Sequence, residues 1–182
     1  MSATPTGYLT RRGDADHLAW DRTFDAPASQ VWAAITVSER LAPWIGTWTG
    51  DPADGFVMFS MNAEGDEGST PMRYDIPACD EPRLLKVDCV SDWGTWNLGL
   101  ELAEADGVTT LTMTQLVNDV AAIENIGPGW EYYLDRLVLA ETGGDVAGAA
   151  WDDYYPAQRE HYVALADTLE PGIRERLGPP QG

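Results

Sequence analysis

The feature that most restricts the fold lies between Thr47 and Val117. Apolar side chains there recur at every second position, and clusters of Gly, Pro and Asp cut the stretch into short pieces. The pattern predicts strands near 46–50, 55–62, 70–77, 83–91, 95–103 and 108–117. The separators are Asp51-Pro52 to Gly55, Glu64 to Gly68, Asp80-Glu81-Pro82, Asp92-Trp93-Gly94 and Glu104 to Gly107. Gly accepts positive φ, Pro presets φ, and Asp bonds its own backbone, so each separator is a turn. Connections this short join antiparallel neighbours, giving a meander rather than βαβ units. On its strands Trp96, Leu98, Leu100 and Leu102 share a face, as do Leu111 with Met113, and Leu85 with Val87 and Cys89.

The flanks add helices. Leu18 to Phe24 alternates as one more strand, with Arg22 the exception on its apolar face, after about a dozen residues that read as a frayed arm. Asp25 is placed to cap a helix with Pro27 in its first turn and Val31, Trp32 and Ile35 on its buried face; Ser38 is placed to cap a second, stopped by Pro43. Beyond Asn118 the period returns to that of a helix. Gly127-Pro128-Gly129 opens a segment with Trp130, Tyr133, Leu134, Leu137 and Val138 on one face, Glu131, Asp135 and Arg136 on the other, and Gly143-Gly144 as its stop. A last helix from Pro156 to about Leu169 sets Tyr162, Leu165 and Leu169 on one side, and residues from Arg174 on read as a tail. The expectation is an α+β domain in which a curved antiparallel sheet wraps a long C-terminal helix, with two short helices after the first strand. A single domain spans 1–182, its core at about 17–140 and a helical extension at about 145–170.

Particular residues carry a resemblance. Arg22-Thr-Phe-Asp-Ala-Pro27 with Val31-Trp32, Ala34-Ile-Thr36 leading through Ser38-Glu-Arg-Leu41 to Trp44, and the late Gly129-Trp130 followed by Leu134 and Leu137 resemble the SRPBCC superfamily. That superfamily has the helix-grip fold shared with START domains and the birch-pollen allergen. More narrowly the chain is similar to the bacterial, AHSA-type homologues of the heat-shock ATPase activator. The resemblance implies a fold and a cavity between sheet and helix, not a reaction, since fold does not fix function. The segment from Trp151-Asp-Asp-Tyr-Tyr-Pro156 onward departs from the usual pattern, which leaves open whether it covers the cavity mouth.

Charge and chemistry narrow the function. Thirty acidic against eleven basic residues give a formal charge of −19, which argues against nucleic acid and anionic membrane surfaces as partners. Lys86 is the single Lys beside ten Arg, a bias pointing to a GC-rich bacterial genome. MSATPTGYLTRRGDADH lacks an apolar signal core and no long apolar run occurs, so a soluble cytoplasmic protein is expected. Cys79 and Cys89 fall out of register across the Tyr74–Val90 hairpin and read as reduced thiols. His17 and His161 complete no nucleophile–His–acid set, no zinc spacing or phosphate loop occurs, and the acidic stretches Glu64–Glu67 and Asp152-Asp153 read as solvated loops. No catalytic residue, metal or cofactor is therefore assigned.

The aromatic and Met residues are more informative. Trp20, Met72, Tyr74, Trp96, Met113, Gln115, Trp130, Tyr133 and Leu137 are the candidate ligand-binding residues, by strand and helix parity. Gln115, in phase with Met113, and Arg22 could orient a ligand, whereas Arg73 and Asn97 fall on the outer face; Arg22 needs a carboxylate, from the protein or a ligand acid. The leading expectation is binding of a small hydrophobic molecule in the cavity. One alternative is a polyketide cyclase or aromatase-like enzyme using Tyr74, Gln115 or Tyr133. The other is a chaperone-cofactor-type protein presenting Trp44, Trp48 or Trp151 on its surface; a homodimer is left open.

Overall fold

A computed structural model of the chain describes residues 4–62, 70–91 and 94–169. One eight-stranded sheet forms, all of its pairs antiparallel: β1 (Tyr8–Arg12), β2 (Ala15–Phe24), β3 (Gly46–Thr49), β4 (Phe56–Met61), β5 (Met72–Asp80), β6 (Leu84–Ser91), β7 (Gly94–Ala105) and β8 (Val108–Leu116). Its spatial order is β1-β2-β8-β7-β6-β5-β4-β3, so the first hairpin pairs with the last strand of the meander. The helices are α1 (Ala28–Thr36), α2 (Ser38–Leu41), α3 (Ile123–Thr142) and α4 (Arg159–Thr168). No described helix is long and apolar enough to cross a membrane.

The six meander strands and the register follow the alternation. Leu98, Leu100 and Leu102 stand opposite Gln115, Met113 and Leu111; Leu85, Val87 and Cys89 stand opposite Leu100, Leu98 and Trp96. Side-chain parity therefore puts all of these on one face. The β7–β8 turn is a two-residue loop with Asp106 at φ 52° and Gly107 at φ 82°, the positive pair that suits the twist of flanking strands. Pro77 lies inside β5, where it cannot donate to a ladder, and the β5–β6 register shifts between Asp75 and Ala78.

Four local expectations are corrected. The N-terminal arm is an edge strand: Tyr8 to Arg12 pairs with Ala19 to Ala15. Asp25 does not cap α1; Pro27 holds the cap position, and the Ala28 N–H donates instead to Glu104 Oε2 at 2.8 Å. Ser38 is the first residue of α2 rather than its cap, its hydroxyl exchanging bonds with the Trp48 backbone. Helix α3 starts at Ile123, earlier than Gly127, with Pro128 inside it. Pro128 is the sixth residue of the helix, beyond its first turn, so the Glu124 carbonyl loses the N–H donor it would otherwise receive.

The core gathers Leu18, Trp20, Leu111, Met113, Leu134 and Leu137, all at most 2% exposed, between α3 and the β2-β8-β7 side of the sheet. Helix α1 adds Val31, Trp32, Ala34 and Ile35 at one end. Cys79 and Cys89 are free thiols, standing opposite Leu85 and Tyr74 rather than each other.

Candidate functional site

Burial falls off across the inner face of the curved sheet. Under α3, the inward apolar residues of β2, β8 and β7 from Leu98 on are buried, whereas Phe59, Met61, Met72, Tyr74, Leu85, Val87 and Trp96 are only half-buried, Val57 and Cys89 being buried among them. Registers Phe59–Met72, Tyr74–Cys89 and Cys89–Trp96 join most of these large apolar side chains in one continuous floor. The wall is α3, where i, i+3 spacing brings Trp130 and Tyr133 to the same flank. Trp130 meets Trp96 edge-on at 6.2 Å and Tyr133 at 6.1 Å, and Phe59 meets Tyr74 edge-on at 5.4 Å. These side chains make a half-covered apolar strip along the inner face, a groove's floor, with the aromatic residues of α3 along one side as its wall.

The nine sequence-derived candidates divide between two environments. Met72, Tyr74, Trp96, Gln115, Trp130 and Tyr133 come together around the groove. Gln115 is buried and accepts the Trp130 indole N–H at 2.5 Å, fixing the wall to the floor. Trp20 and Met113 on the inner face, and Leu137 on α3, lie instead in the closed core, at 0%, 2% and 0% exposure. Phe59, Met61, Leu85 and Val87 belong to the groove and were not among the candidates. On β4 both parities are apolar (Phe56, Val57, Met58, Phe59), so alternation chose no face there.

The other flank of α3 carries a polar knot. Glu131 and Asp135, at i, i+4, both face Arg22, whose Nη2 lies 2.7 Å from Glu131 and 2.8 Å from Asp135. Glu131 is 1% exposed and also accepts from the Thr6 and Gly7 backbone N–H groups at 2.5 and 2.8 Å and from Tyr162 OH at 2.6 Å. Tyr162 OH in turn accepts from Trp20 Nε1 at 2.9 Å, and Tyr154 OH donates to Asp135 at 3.0 Å. Arg22 thus takes its partner from the protein, and the C-terminal extension packs on this flank through Tyr162. His161, read from sequence as solvated, is half-buried with Nε2 2.8 Å from the Gly7 carbonyl.

Electrostatics follow the geometry. Burial alone raises the Glu131 carboxyl, but the bonds from Tyr162, Thr6 and Arg22 outweigh it and hold its pKa below the usual carboxylate value. Desolvation lowers Arg22, yet Glu131 and Asp135 raise it overall. Burial and adjacent carboxylates push the Tyr154 and Tyr162 phenols well up, so they stay neutral donors. Both belong to the knot, not the groove. Burial likewise raises the Cys89 thiol on the groove floor, which makes it a poor nucleophile. Among the described residues no cluster of three or more His, Cys, Asp or Glu could hold a metal ion. The acidic stretch Glu64–Glu67 lies outside the described residues.

The surface patch expected for an interaction protein does not assemble from its three tryptophans. Trp44 is buried with its indole N–H on the Ala34 carbonyl, and Trp48 is half-buried with its own on Thr36. Trp151 is exposed and stacks on Tyr155.

A curved antiparallel sheet gripping one long helix, with short helices after the strand that opens the inner face, defines the helix-grip class of the SRPBCC superfamily. Within it the chain belongs to the family described as "Activator of Hsp90 ATPase homolog 1-like protein", whose sequence pattern matches residues 25–140. CalU16 from Micromonospora echinospora is similar in structure: TM-score 0.74, 24% identity, 91% of this chain and 100% of that one covered. EF2215 from Enterococcus faecalis, a conserved protein of unknown function, aligns with a TM-score of 0.65 at 19% identity over 90% and 92% of the two chains. DynU16, a protein in the dynemicin biosynthetic locus, aligns at 0.53 and 19% identity over 71% of this chain and 49% of its own. At these identities the likeness is one of fold. No curated protein matches the chain.

Proposed function

We propose that the protein binds a small hydrophobic molecule in the groove between α3 and the β4–β7 part of the sheet. The supporting observation is the fall in burial across one face: large apolar side chains are sealed under α3 but left half-open from Phe59 to Trp96. A contiguous half-covered apolar surface on a concave face is what a ligand completes. Aromatic and Met side chains suit that role because they give area while adapting to shape. The two thiols fit a reducing, cytoplasmic setting.

A cyclase-like reaction draws less support. The tyrosines with strongly displaced pKa sit in the knot, and Gln115 is committed to Trp130. The family description raises a chaperone-binding surface, but the exposed large apolar residues among the described ones, Tyr8, Val37, Val90, Val108 and Trp151, come from five separate segments. The groove reading is tested with the neutral dye Nile red, followed by its emission. Wild type is expected to bind saturably. Val87→Trp, which fills the centre of the floor, is expected to weaken binding at least tenfold while the thermal transition stays cooperative. Equal binding by the two proteins refutes the proposal.

A further inference from the structure

The groove chemistry limits which hydrophobic molecules it accepts. Building on the ligand-binding reading above, we infer that the groove selects planar aromatic molecules that are neutral or cationic, and rejects those carrying a carboxylate, sulfonate or phosphate.

The first ground is that, among the described residues, no uncommitted cation faces the groove to receive an acid. Inward positions of β4 to β7 around the groove, Phe59, Met61, Met72, Tyr74, Leu85, Val87, Cys89 and Trp96, carry no cation, and Lys86 points to the opposite face between Leu85 and Val87. Arg22 also faces inward, but Glu131 and Asp135 hold it at the far flank of α3. Arg40 is taken by Glu141, and Arg73 by Asp75 with its guanidinium over Phe56.

Arg136 lies near the groove rim, beside Tyr132, which touches Tyr133. Its Nε donates to the Trp44 carbonyl, Nη1 to Tyr132 OH and the Val146 carbonyl, and Nη2 to the Pro43 carbonyl. That guanidinium stitches α3 to the loops on either side instead of waiting for a ligand. An anion moved from water to this floor would lose hydration and gain no cationic partner in return.

The second ground is the field of the whole molecule. A net charge of −19 repels anions and concentrates cations at a low-dielectric cleft. The third is ring geometry. Trp96–Trp130, Trp130–Tyr133 and Phe59–Tyr74 are all edge-to-face, at interplanar angles of 76°, 60° and 61°. Trp130 and Tyr133 are buried among these contacts, but Phe59 and Trp96 each enter one such pair and stay half-buried, which leaves ring surface for stacking a flat guest or receiving a cation.

Three probes on one ring system separate the possibilities: 1-pyrenemethanol, the ammonium form of 1-pyrenemethylamine, and 1-pyrenecarboxylate. Each is titrated into the full chain at low and high salt, with Val87→Trp as the control for binding outside the groove. The expected result is that alcohol and ammonium bind at least tenfold more tightly than the carboxylate. The ammonium–carboxylate gap should shrink with added salt while the alcohol stays constant. In Leu85→Lys, which sets a cation on the floor, the carboxylate should gain and the ammonium lose. A carboxylate that binds wild type as tightly as the alcohol, in a manner abolished by Val87→Trp, overturns the selectivity while leaving the groove intact. Failure of all three probes to distinguish wild type from Val87→Trp removes the groove itself, and the inference with it.

Discussion

At the scale of single residues, Glu131 has the most consequential environment. One carboxylate, 1% exposed, gathers two backbone N–H groups of the arm, a phenol of α4 and the Arg22 guanidinium. Removing one partner from a buried pair strands the other, so Glu131→Leu is expected to cost about 3–5 kcal/mol, read as a lower urea midpoint at unchanged m. The same group sets an acid limb. Its pKa in the folded protein lies below that of the unfolded chain, about 4.3 for an ordinary Glu. Its contribution is therefore complete above that value and is lost as pH falls through the folded pKa. Urea unfolding from pH 6 down to pH 3 should show wild type losing stability more steeply than Glu131→Gln. Tyr162→Phe should cost about 1–3 kcal/mol, because it leaves the buried Trp20 N–H without its acceptor.

At the scale of elements, two glycines one turn or less apart on α3 make a matched test. A Cβ on Gly127 would overlap the Tyr162 ring of α4, whereas one on Gly129 meets nothing within 4 Å. Ala in a helix interior gains about 0.5–1 kcal/mol over Gly. Gly129→Ala is thus expected to stabilise the protein, and Gly127→Ala to destabilise it and loosen α4, seen as faster proteolysis near residues 159–168. The meander was legible from sequence because β5 to β8 alternate cleanly and their turns carry Gly, Pro and Asp. The arm was not: Tyr8–Arg12 holds two arginines and one large aliphatic, a poor strand signature, and pairs only because β2 offers an open edge. The late start assigned to α3 came from treating Pro128 as a boundary.

At the scale of the whole molecule, the acidic surface is itself a load on stability. Self-repulsion at −19 should ease as salt screens it, so the melting temperature is expected to rise between low salt and about 0.3 M NaCl, measured by calorimetry. Which side of each strand faces the helix could be read from alternation. How far α3 would cover that face could not, since coverage depends on where the helix crosses. That is why Trp20, Met113 and Leu137 stood beside Tyr74 and Trp96 as candidates, although α3 closes over Trp20 and Met113 and its own Leu137 is sealed against the sheet. The knot escaped for a related reason: Glu131 and Asp135 have the spacing of an ordinary wet helix face, and only the unpaired Arg22 hinted at a partner.

The strand order also dictates a sequence of events during synthesis. Neighbours from β3 to β8 are consecutive in the chain, so each hairpin can close as it leaves the ribosome. Strand β2 emerges among the first and must wait for β8, with Trp20 opposite Met113 and nearly the whole meander between them. Its apolar face stays uncovered through that interval, and α3 arrives later still. The floor of the groove is thus laid before its wall exists, and a nascent chain halted after β8 displays that floor open to any holdase that recognises apolar surface.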